Sequence, residues 1–233
     1  MTEKTLSTMQ PSRRLRIRQL LSLWVIGVGG FFGAGQNVLA RGNRPAPPGI
    51  HSIKREVWIN GRPAQSGQLV APGSTVTTGH GAEAIYVIGD NAFLQRENTE
   101  VRFGSDSADI TKDFLRVVTG KLLSVFGKGE KTLRTPTATI GIRGTGCYIE
   151  AAEKTVYFCL CYGEAEIRPT VAPSHVERIV TRHHDHPMLI HHDQNMPMMA
   201  NAKVINHTDL ELTLLENLNG RWPPYSGSGY SSY

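Results

Sequence analysis

Several features that assign a function directly are missing from this sequence. It contains only three cysteines in 233 residues, and aromatic residues make up 7%. No Gly-Lys pair is followed by serine or threonine, so the usual phosphate-binding loop is excluded. No nucleophile is combined with a histidine and an acid in the order that hydrolases use. We therefore expect a protein that is not an enzyme.

The body of the protein also lacks an excess of positive charge. The formal net charge is +5, but residues 1–40 alone carry +4, which leaves +1 for residues 41–233. A protein that binds nucleic acid needs a basic face to neutralise phosphates. Nucleic acid is therefore not an expected partner.

No apolar run is long enough to span a bilayer comfortably. The longest covers residues 20–35, which is 16 residues against the ~20 that a spanning helix needs. A basic segment precedes it and Val38-Leu39-Ala40 follows it, which is the order of a secretory signal with cleavage before Arg41. We expect residues 1–40 to be a signal peptide or an uncleaved membrane-anchor helix. The body is then periplasmic, either soluble after cleavage or tethered to the inner membrane through residues 20–35.

The remainder divides by composition into four parts. Residues 41–49 form a proline-glycine linker, 50–168 a β domain, 169–222 a wrapping segment rich in His and Met, and 223–233 a disordered tail. Short runs of β-forming residues separated by Gly, Pro, Asn and Asp predict strands in the β domain. These runs are 56–60, 74–78, 83–88, 92–96, 100–103, 114–120, 121–126, 146–151, 155–162 and 164–167. The pattern predicts an all-β fold, a compact multi-stranded sandwich or roll.

One short helix is expected near the C-terminus. Thr208 and Glu211 have the spacing of a capping box, in which each side chain satisfies a free backbone N–H. Leu210, Leu214 and Leu218 would form its apolar face, and a glycine at position 220 would end it.

Residues 135–146, TPTATIGIRGTG, end with three closely spaced glycines. A nucleophile elbow would need serine where this sequence has threonine. We therefore interpret the stretch as a structural corner, in which arginine hydrogen-bonds freed carbonyl groups. Its residues are Gly141, Arg143, Gly144, Thr145 and Gly146.

The order of motifs resembles that of a FecR domain. The matching segments are 69–79 (LVAPGSTVTTG), 90–103, 115–126, 137–150 (TATIGIRGTGCYIE) and 162–167. The resemblance implies a β-rich periplasmic domain, which in the best-known members relays a signal from an outer-membrane transporter to a cytoplasmic sigma factor. Only residues 1–19 precede the apolar run, too few for a sigma-binding core, so the fold and the compartment are what we expect to transfer.

The three cysteines, Cys147, Cys159 and Cys161, lie in two neighbouring predicted strands. If these strands pair as a hairpin around residues 152–154, an even register sets Cys147 opposite Cys159 or Cys161. A register one residue off would place Cys147 on the other face. We expect a cross-strand disulfide with one spare thiol first, three buried thiols second and metal ligation third.

A stretch rich in His and Met supplies candidate ligands for copper or zinc. They are His183, His184, His186, His191, His192, Met196 and Met198. The alternative is a surface segment with solvated histidines, and a mixed site with Cys159 or Cys161 rests on composition alone.

The function expected from the sequence is non-catalytic binding or signalling in the bacterial envelope, through a protein partner and without a cofactor. The competing hypothesis is periplasmic binding of a transition metal or haem. A glycan-binding protein would need exposed aromatic residues on one face, for which only Trp58 and a few tyrosines are available.

Overall fold

The computed structural model describes residues 44–104, 113–193 and 195–226. The predicted signal or anchor segment 1–40 and the tail beyond residue 226 lie outside them. In the described part of the chain, no helix is both long and apolar enough to cross a membrane.

The described chain forms fourteen strands followed by one helix. The strands are β1 (Gly49–Lys54), β2 (Val57–Ile59), β3 (Arg62–Pro63), β4 (Thr75–Thr78), β5 (Glu83–Ile88), β6 (Asn91–Gln95), β7 (Thr99–Phe103), β8 (Asp113–Val125), β9 (Glu130–Arg134), β10 (Ala138–Ala151), β11 (Thr155–Pro169), β12 (Glu177–Thr181), β13 (Met188–His191) and β14 (Met199–Asn201). The helix, α1, spans Asp209–Leu218. The protein is therefore all-β with one short C-terminal helix, as the sequence predicts.

All fourteen strands belong to one open sheet. Neighbouring strands are antiparallel except for β8 and β9, which run parallel. The long strands β8, β10 and β11 lie side by side and connect the outer strands. Length is what lets each of them pair with several partners along its course.

The sheet is buried on both faces where these long strands run. Along β11, Val156, Phe158 and Leu160 point into the main apolar cluster, and Tyr157 and Cys159 point into a second cluster on the opposite face. A strand that is covered on both sides reads as a continuous apolar run. The second face is the one that α1 covers, since Leu212, Leu215 and Leu218 belong to its cluster.

The predicted strands agree closely with the structure in the first half of the β domain. Residues 83–88 coincide with β5, and 100–103 lie within β7. The separately predicted strands 114–120 and 121–126 form one strand, β8, because Gly120 adopts φ +90° without ending the ladder. Six strands were not predicted: β1, β3 and β9, and the strands β12, β13 and β14 of the His- and Met-rich segment. Each is six residues or shorter and lacks a clear alternation of apolar and polar residues.

The glycine-rich corner is a bulge inside the continuous strand β10. The strand pairs with β9 up to Arg143 and with β8 from Gly146 onward. Across the bulge, Arg143 pairs with Glu164 and Gly146 with Tyr162, so that β10 has one extra residue. Gly144 adopts φ +54°, in the left-handed region that favours glycine. Thr145 is fully buried beside it.

Arg143 does not have the role expected for it. Its side chain is exposed and its Nη2 lies 3.3 Å from Glu130 Oε1, so that it forms an ion pair across strands instead of binding carbonyl groups. The sequence prediction was wrong because Arg143 still lies in the regular β9–β10 ladder, opposite Glu130, and alternation with the buried Ile142 directs its side chain toward solvent.

The bulge should tolerate a methyl group at one glycine and not at another. A Cβ atom at Gly146 would lie 2.5 Å from the Tyr162 ring, which is buried and whose hydroxyl donates to Glu216. We expect Gly146→Ala to lower the free energy of unfolding by about 2 kcal/mol or more. Gly141→Ala is the matched control, because the nearest atom to its Cβ would be 3.9 Å away. Urea denaturation measures both, and equal losses would contradict this account of the bulge.

The register of the β10–β11 hairpin corrects the predicted disulfide. The strands turn at residues 152–154 as predicted, but Cys147 pairs with Leu160, and Cys159 pairs with Tyr148. Because facing residues share a face, Cys147 points away from the other two cysteines and into the main cluster. All three cysteines are free, buried thiols.

Helix α1 confirms its predicted cap and differs in its buried face. Thr208 and Glu211 form the reciprocal capping box, and Gly220 follows the helix with φ +68°. The buried leucines are nevertheless 212, 215 and 218, whereas Leu210 is 74% exposed. The i, i+4 spacing predicted the wrong stripe because the helix packs through an i, i+3 row.

Candidate metal centre

Two cysteines of β11 form the base of a polar cluster between the sheet and α1. Cys159 and Cys161 are two residues apart on one strand, and both are fully buried in the second-face cluster. The β10–β11 pairing shifts again at this point, from Gly146–Tyr162 to Cys147–Leu160, which leaves Cys161 as an unpaired extra residue. Bulges re-aim side chains and release backbone groups from a ladder. The glycine-rich corner thus lies opposite the place where the second thiol is positioned.

His184 comes from the turn between β12 and β13. Its backbone N–H donates to the carbonyl of Cys161 at 3.0 Å, which uses an acceptor at the bulge. The Asp185 carboxylate accepts from the backbone N–H of Arg182 at 3.0 Å and supports the turn. His184 itself adopts φ +51°, an uncommon conformation for a residue with a side chain. Such outliers concentrate at functional sites, where surrounding contacts hold them.

His207 comes from the segment that leads into α1. Its ring stacks on Tyr148, with centroids 4.6 Å apart, and its Nδ1 lies 2.6 Å from the carbonyl oxygen of Ile205. The residue is 5% exposed. Stacking and the hydrogen bond together fix the orientation of the ring, with Nε2 directed toward His184.

The four side chains bring their donor atoms to one point. One ligand atom each from Cys159, Cys161, His184 and His207 lies within 4.8 Å of all the others, and all four residues are buried. His184 Nδ1 is 3.4 Å from Cys159 Sγ and 3.1 Å from His207 Nε2. In a tetrahedral zinc site, bond lengths of about 2.05 Å to N and 2.3 Å to S give ligand separations of about 3.3 Å for N···N and 3.5 Å for N···S. The two distances from His184 Nδ1, to Cys159 Sγ and to His207 Nε2, fit that geometry.

The outer nitrogens of both imidazole rings are occupied by acceptors. Ile205 O can only accept, so Nδ1 of His207 carries the proton and Nε2 offers a lone pair. Asp209 Oδ1 lies 3.2 Å from Nε2 of His184, so the Nε2–H group of His184 donates to the carboxylate and its Nδ1 faces the cluster. Histidine ligands of metal ions usually have this arrangement, in which a carboxylate or carbonyl fixes the tautomer.

Asp209, the first residue of α1, connects the cluster to a further histidine. Its carboxylate oxygens lie 2.9 and 3.0 Å from Nε2 of His183. His183, His184 and Asp209 also lie close enough to hold an ion. His184 cannot direct its Nε2 proton to Asp209 and ligate through Nε2 at once, so Asp209 serves best as the outer acceptor of the Cys₂His₂ set.

The pKa values of three of these side chains are shifted by one another and by burial. Contact with the Cys161 thiol lowers the pKa of Cys159 well below its usual value, and His184 and His207 add to this effect, while burial opposes it. Burial alone would lower the pKa of His184, but the Cys159 sulfur and Asp209 raise it. Burial raises the pKa of Cys161. An ion bound by all four side chains would displace the protons of the thiols.

The structure brings together only part of the histidine and methionine set that the sequence suggested. His184 is in the cluster and His183 is next to it, but His186, His192 and Met196 are exposed and Met198 is half-buried. His191 is buried, and its Nδ1 meets Thr155 Oγ1 at 3.0 Å. These side chains do not converge with the thiols.

Sequence analysis missed two residues of the site, His207 and Asp209. Each is isolated in the sequence, in NHTDL, and has no ligand spacing to any other candidate. The only signal was indirect: the capping box placed a helix start at Thr208, next to both residues.

Cys159, His184 and Asp209 also have the order of a thiol–imidazole–carboxylate triad. A catalytic thiolate must be reached by its substrate, and Cys159 has no exposed surface. Two surface clefts of about 520 and 320 Å³ lie in the described part of the chain, and Cys159 lines neither of them. Burial therefore favours ligation over nucleophilic attack.

Comparison with known proteins concerns the fold. Neither a protein-family model nor a curated protein matches the sequence. Two crystal structures of a "putative anti-sigma factor" from Parabacteroides distasonis ATCC 8503 are similar to this chain, with 14% sequence identity and a TM-score of 0.45. The similarity covers 55% of this chain and 60% of each of those chains.

Proposed function

We propose that this protein is a non-catalytic metal-binding protein, and that its ligand is a zinc ion held by Cys159, Cys161, His184 and His207. The observation that carries the proposal is the convergence of four buried donor atoms within 4.8 Å. A tetrahedral set of two sulfurs and two nitrogens suits Zn²⁺, with Cu⁺ as the next metal by ligand softness.

The site has the features of a closed centre. All four ligands come from the protein and all are buried, so that a four-coordinate ion has its full set of ligands without water or a substrate, although His207 also lines the cleft of about 520 Å³. Thiolates in an oxidising compartment are also protected when they bind a metal ion. These features support a structural or regulatory ion and argue against a transported one.

Export and a protein partner complete the proposal. The signal-like residues 1–40 support a periplasmic location, and the FecR-like order of motifs in 50–168 supports binding or signalling in the envelope. The expectation of a bound metal now rests on the Cys₂His₂ cluster and no longer on the histidine and methionine stretch as a whole.

Native mass spectrometry of the full-length gene product, purified from the periplasm, tests the proposal. We expect a chain that begins at Arg41 and carries one zinc ion, with no mass loss from a disulfide. Iodoacetamide should modify no cysteine before the metal is removed. A metal-free chain, also after incubation with Zn²⁺, would overturn the metal proposal. Rapid modification of Cys159 alone would instead support a role for Cys159 as a nucleophile. One bound copper ion would show that the metal is copper and not zinc.

A further inference from the structure

The proposed metal centre joins three parts of the chain that are distant in sequence. Cys159 and Cys161 belong to β11, His184 to the β12–β13 turn and His207 to the segment before α1. His184 and His207 are 23 residues apart. An ion that binds all four residues closes two loops of the chain, one from Cys161 to His184 and one from His184 to His207. This restricts the conformations of the chain most in the parts that lack regular structure.

The segment between β14 and α1 has little regular structure of its own. Its first residue, Ala202, donates its N–H to the carbonyl of Pro187 at 2.9 Å. Further along, the Tyr157 hydroxyl donates to Lys203 O at 3.0 Å, and Arg96 Nη2 donates to Asn206 O at 2.9 Å. Isolated hydrogen bonds of this kind contribute little each to stability. His207 is the buried residue of the segment and therefore its main anchor.

Helix α1 covers an apolar face that would otherwise meet water. Its three buried leucines pack over side chains of the central strands, among them Leu94, Leu123, Val125 and Tyr148. A contiguous apolar surface of this kind is rarely exposed in a soluble protein. Where α1 lies thus decides whether the second face of the sheet is accessible.

The start of α1 is tied to the sheet through the same cluster. Asp209 accepts from His183 and His184, so that the first helical residue is fixed by a metal ligand. The ion pair between Arg96 Nη2 and Glu211 Oε1, which are 2.7 Å apart, also connects this end of the helix to the sheet and does not involve the cluster.

We infer that the metal ion is a clasp that holds residues 202–218 on the sheet, so that metal loading controls whether the second face is covered. This inference rests on the proposed function and adds a regulatory role to the same site. Loss of the ion would release His207 and the start of α1, while the main apolar cluster on the other face keeps the rest of the sheet folded.

Hydrogen exchange measured by mass spectrometry on the full chain tests the clasp, with the zinc-loaded protein compared with the chelated one. We expect amide exchange in 202–218 to become at least tenfold faster after zinc removal, and exchange in β4 and β7, which contribute to the main cluster, to accelerate less. Cys161→Ser in the presence of zinc should reproduce the chelated pattern. Cys147→Ser, the same change on the opposite face, should behave as the wild type.

The outcomes separate the clasp from the metal site itself. If the wild type binds no zinc, the proposed function fails. If it binds one zinc ion but exchange in 202–218 is the same with and without it, the clasp fails and the site stands. If zinc removal accelerates exchange in β4 and β7 as much as in 202–218, the ion stabilises the whole domain evenly and the local clasp is wrong.

Discussion

Replacement of Cys161 by serine is expected to weaken zinc binding by about a hundredfold or more. Structural zinc sites bind with apparent free energies of about 10–16 kcal/mol, so one of four ligands accounts for about 3 kcal/mol, and 1.4 kcal/mol corresponds to a factor of ten. The substitution retains the size of the side chain, and Cys161 lies at an irregular point of β11, so that the fold should persist. Competition with a chromophoric chelator measures the dissociation constant of each variant.

Cys147→Ser is the control that isolates ligation. Cys147 is as deeply buried as Cys161, but its thiol lies in the main cluster on the other face of the sheet. Both Cys147→Ser and Cys161→Ser therefore replace a buried sulfur by oxygen, but only Cys161→Ser removes a proposed metal ligand. Equal zinc affinities of the two variants would show that Cys161 does not bind the ion.

Removal of zinc from the wild-type protein should lower its melting temperature by about 10 °C. A ligand present at about a thousand times its dissociation constant stabilises the folded state by about 4 kcal/mol. In domains of this size, 1 kcal/mol shifts the melting temperature by about 2–4 °C. Differential scanning calorimetry with and without a chelator gives the shift, and stoichiometric Zn²⁺ should restore the original value while Mg²⁺ should not.

The melting experiment also separates the two functions that the sequence left open. A binding module without metal predicts indifference to chelators, so an unchanged melting temperature in the wild type would favour it over the metal-binding protein. A shift that persists in Cys161→Ser would place the responsible ion at another site.

The proposed metal site assigns a role to the C-terminal segment that the composition of the segment does not indicate. The numerous His and Met side chains of residues 183–199 suggested a metal-rich surface, yet His186, His192 and Met196 are exposed, and of the whole stretch the cluster of four ligands takes His184. The proposed site takes one histidine from this stretch and completes the set with residues from elsewhere. The number of potential metal ligands in one stretch of sequence is therefore a weaker guide to a metal site than the convergence of ligand side chains in the folded protein.

The sequence by itself determined the fold class, many of the strands and the helix cap, because these depend on local alternation, turn residues and capping chemistry. The span 83–88 and the Thr208–Glu211 box are examples. It also restricted the cysteines to two pairing strands, with Cys159 and Cys161 on one face. Each of these properties is encoded within a few consecutive residues.

Only the tertiary structure decided which residues meet. The hairpin turn at residues 152–154 pairs Ala151 with Val156, and this register sets Cys147 opposite Leu160, which separates it from Cys159 and rules out their cross-strand disulfide. Packing of α1 through its 212–215–218 row then brought His207 and Asp209 to the thiols. A one-residue shift reverses the face of every side chain in a strand. Because such shifts and the rotation of a helix are fixed by long-range packing, no local pattern could have revealed this site.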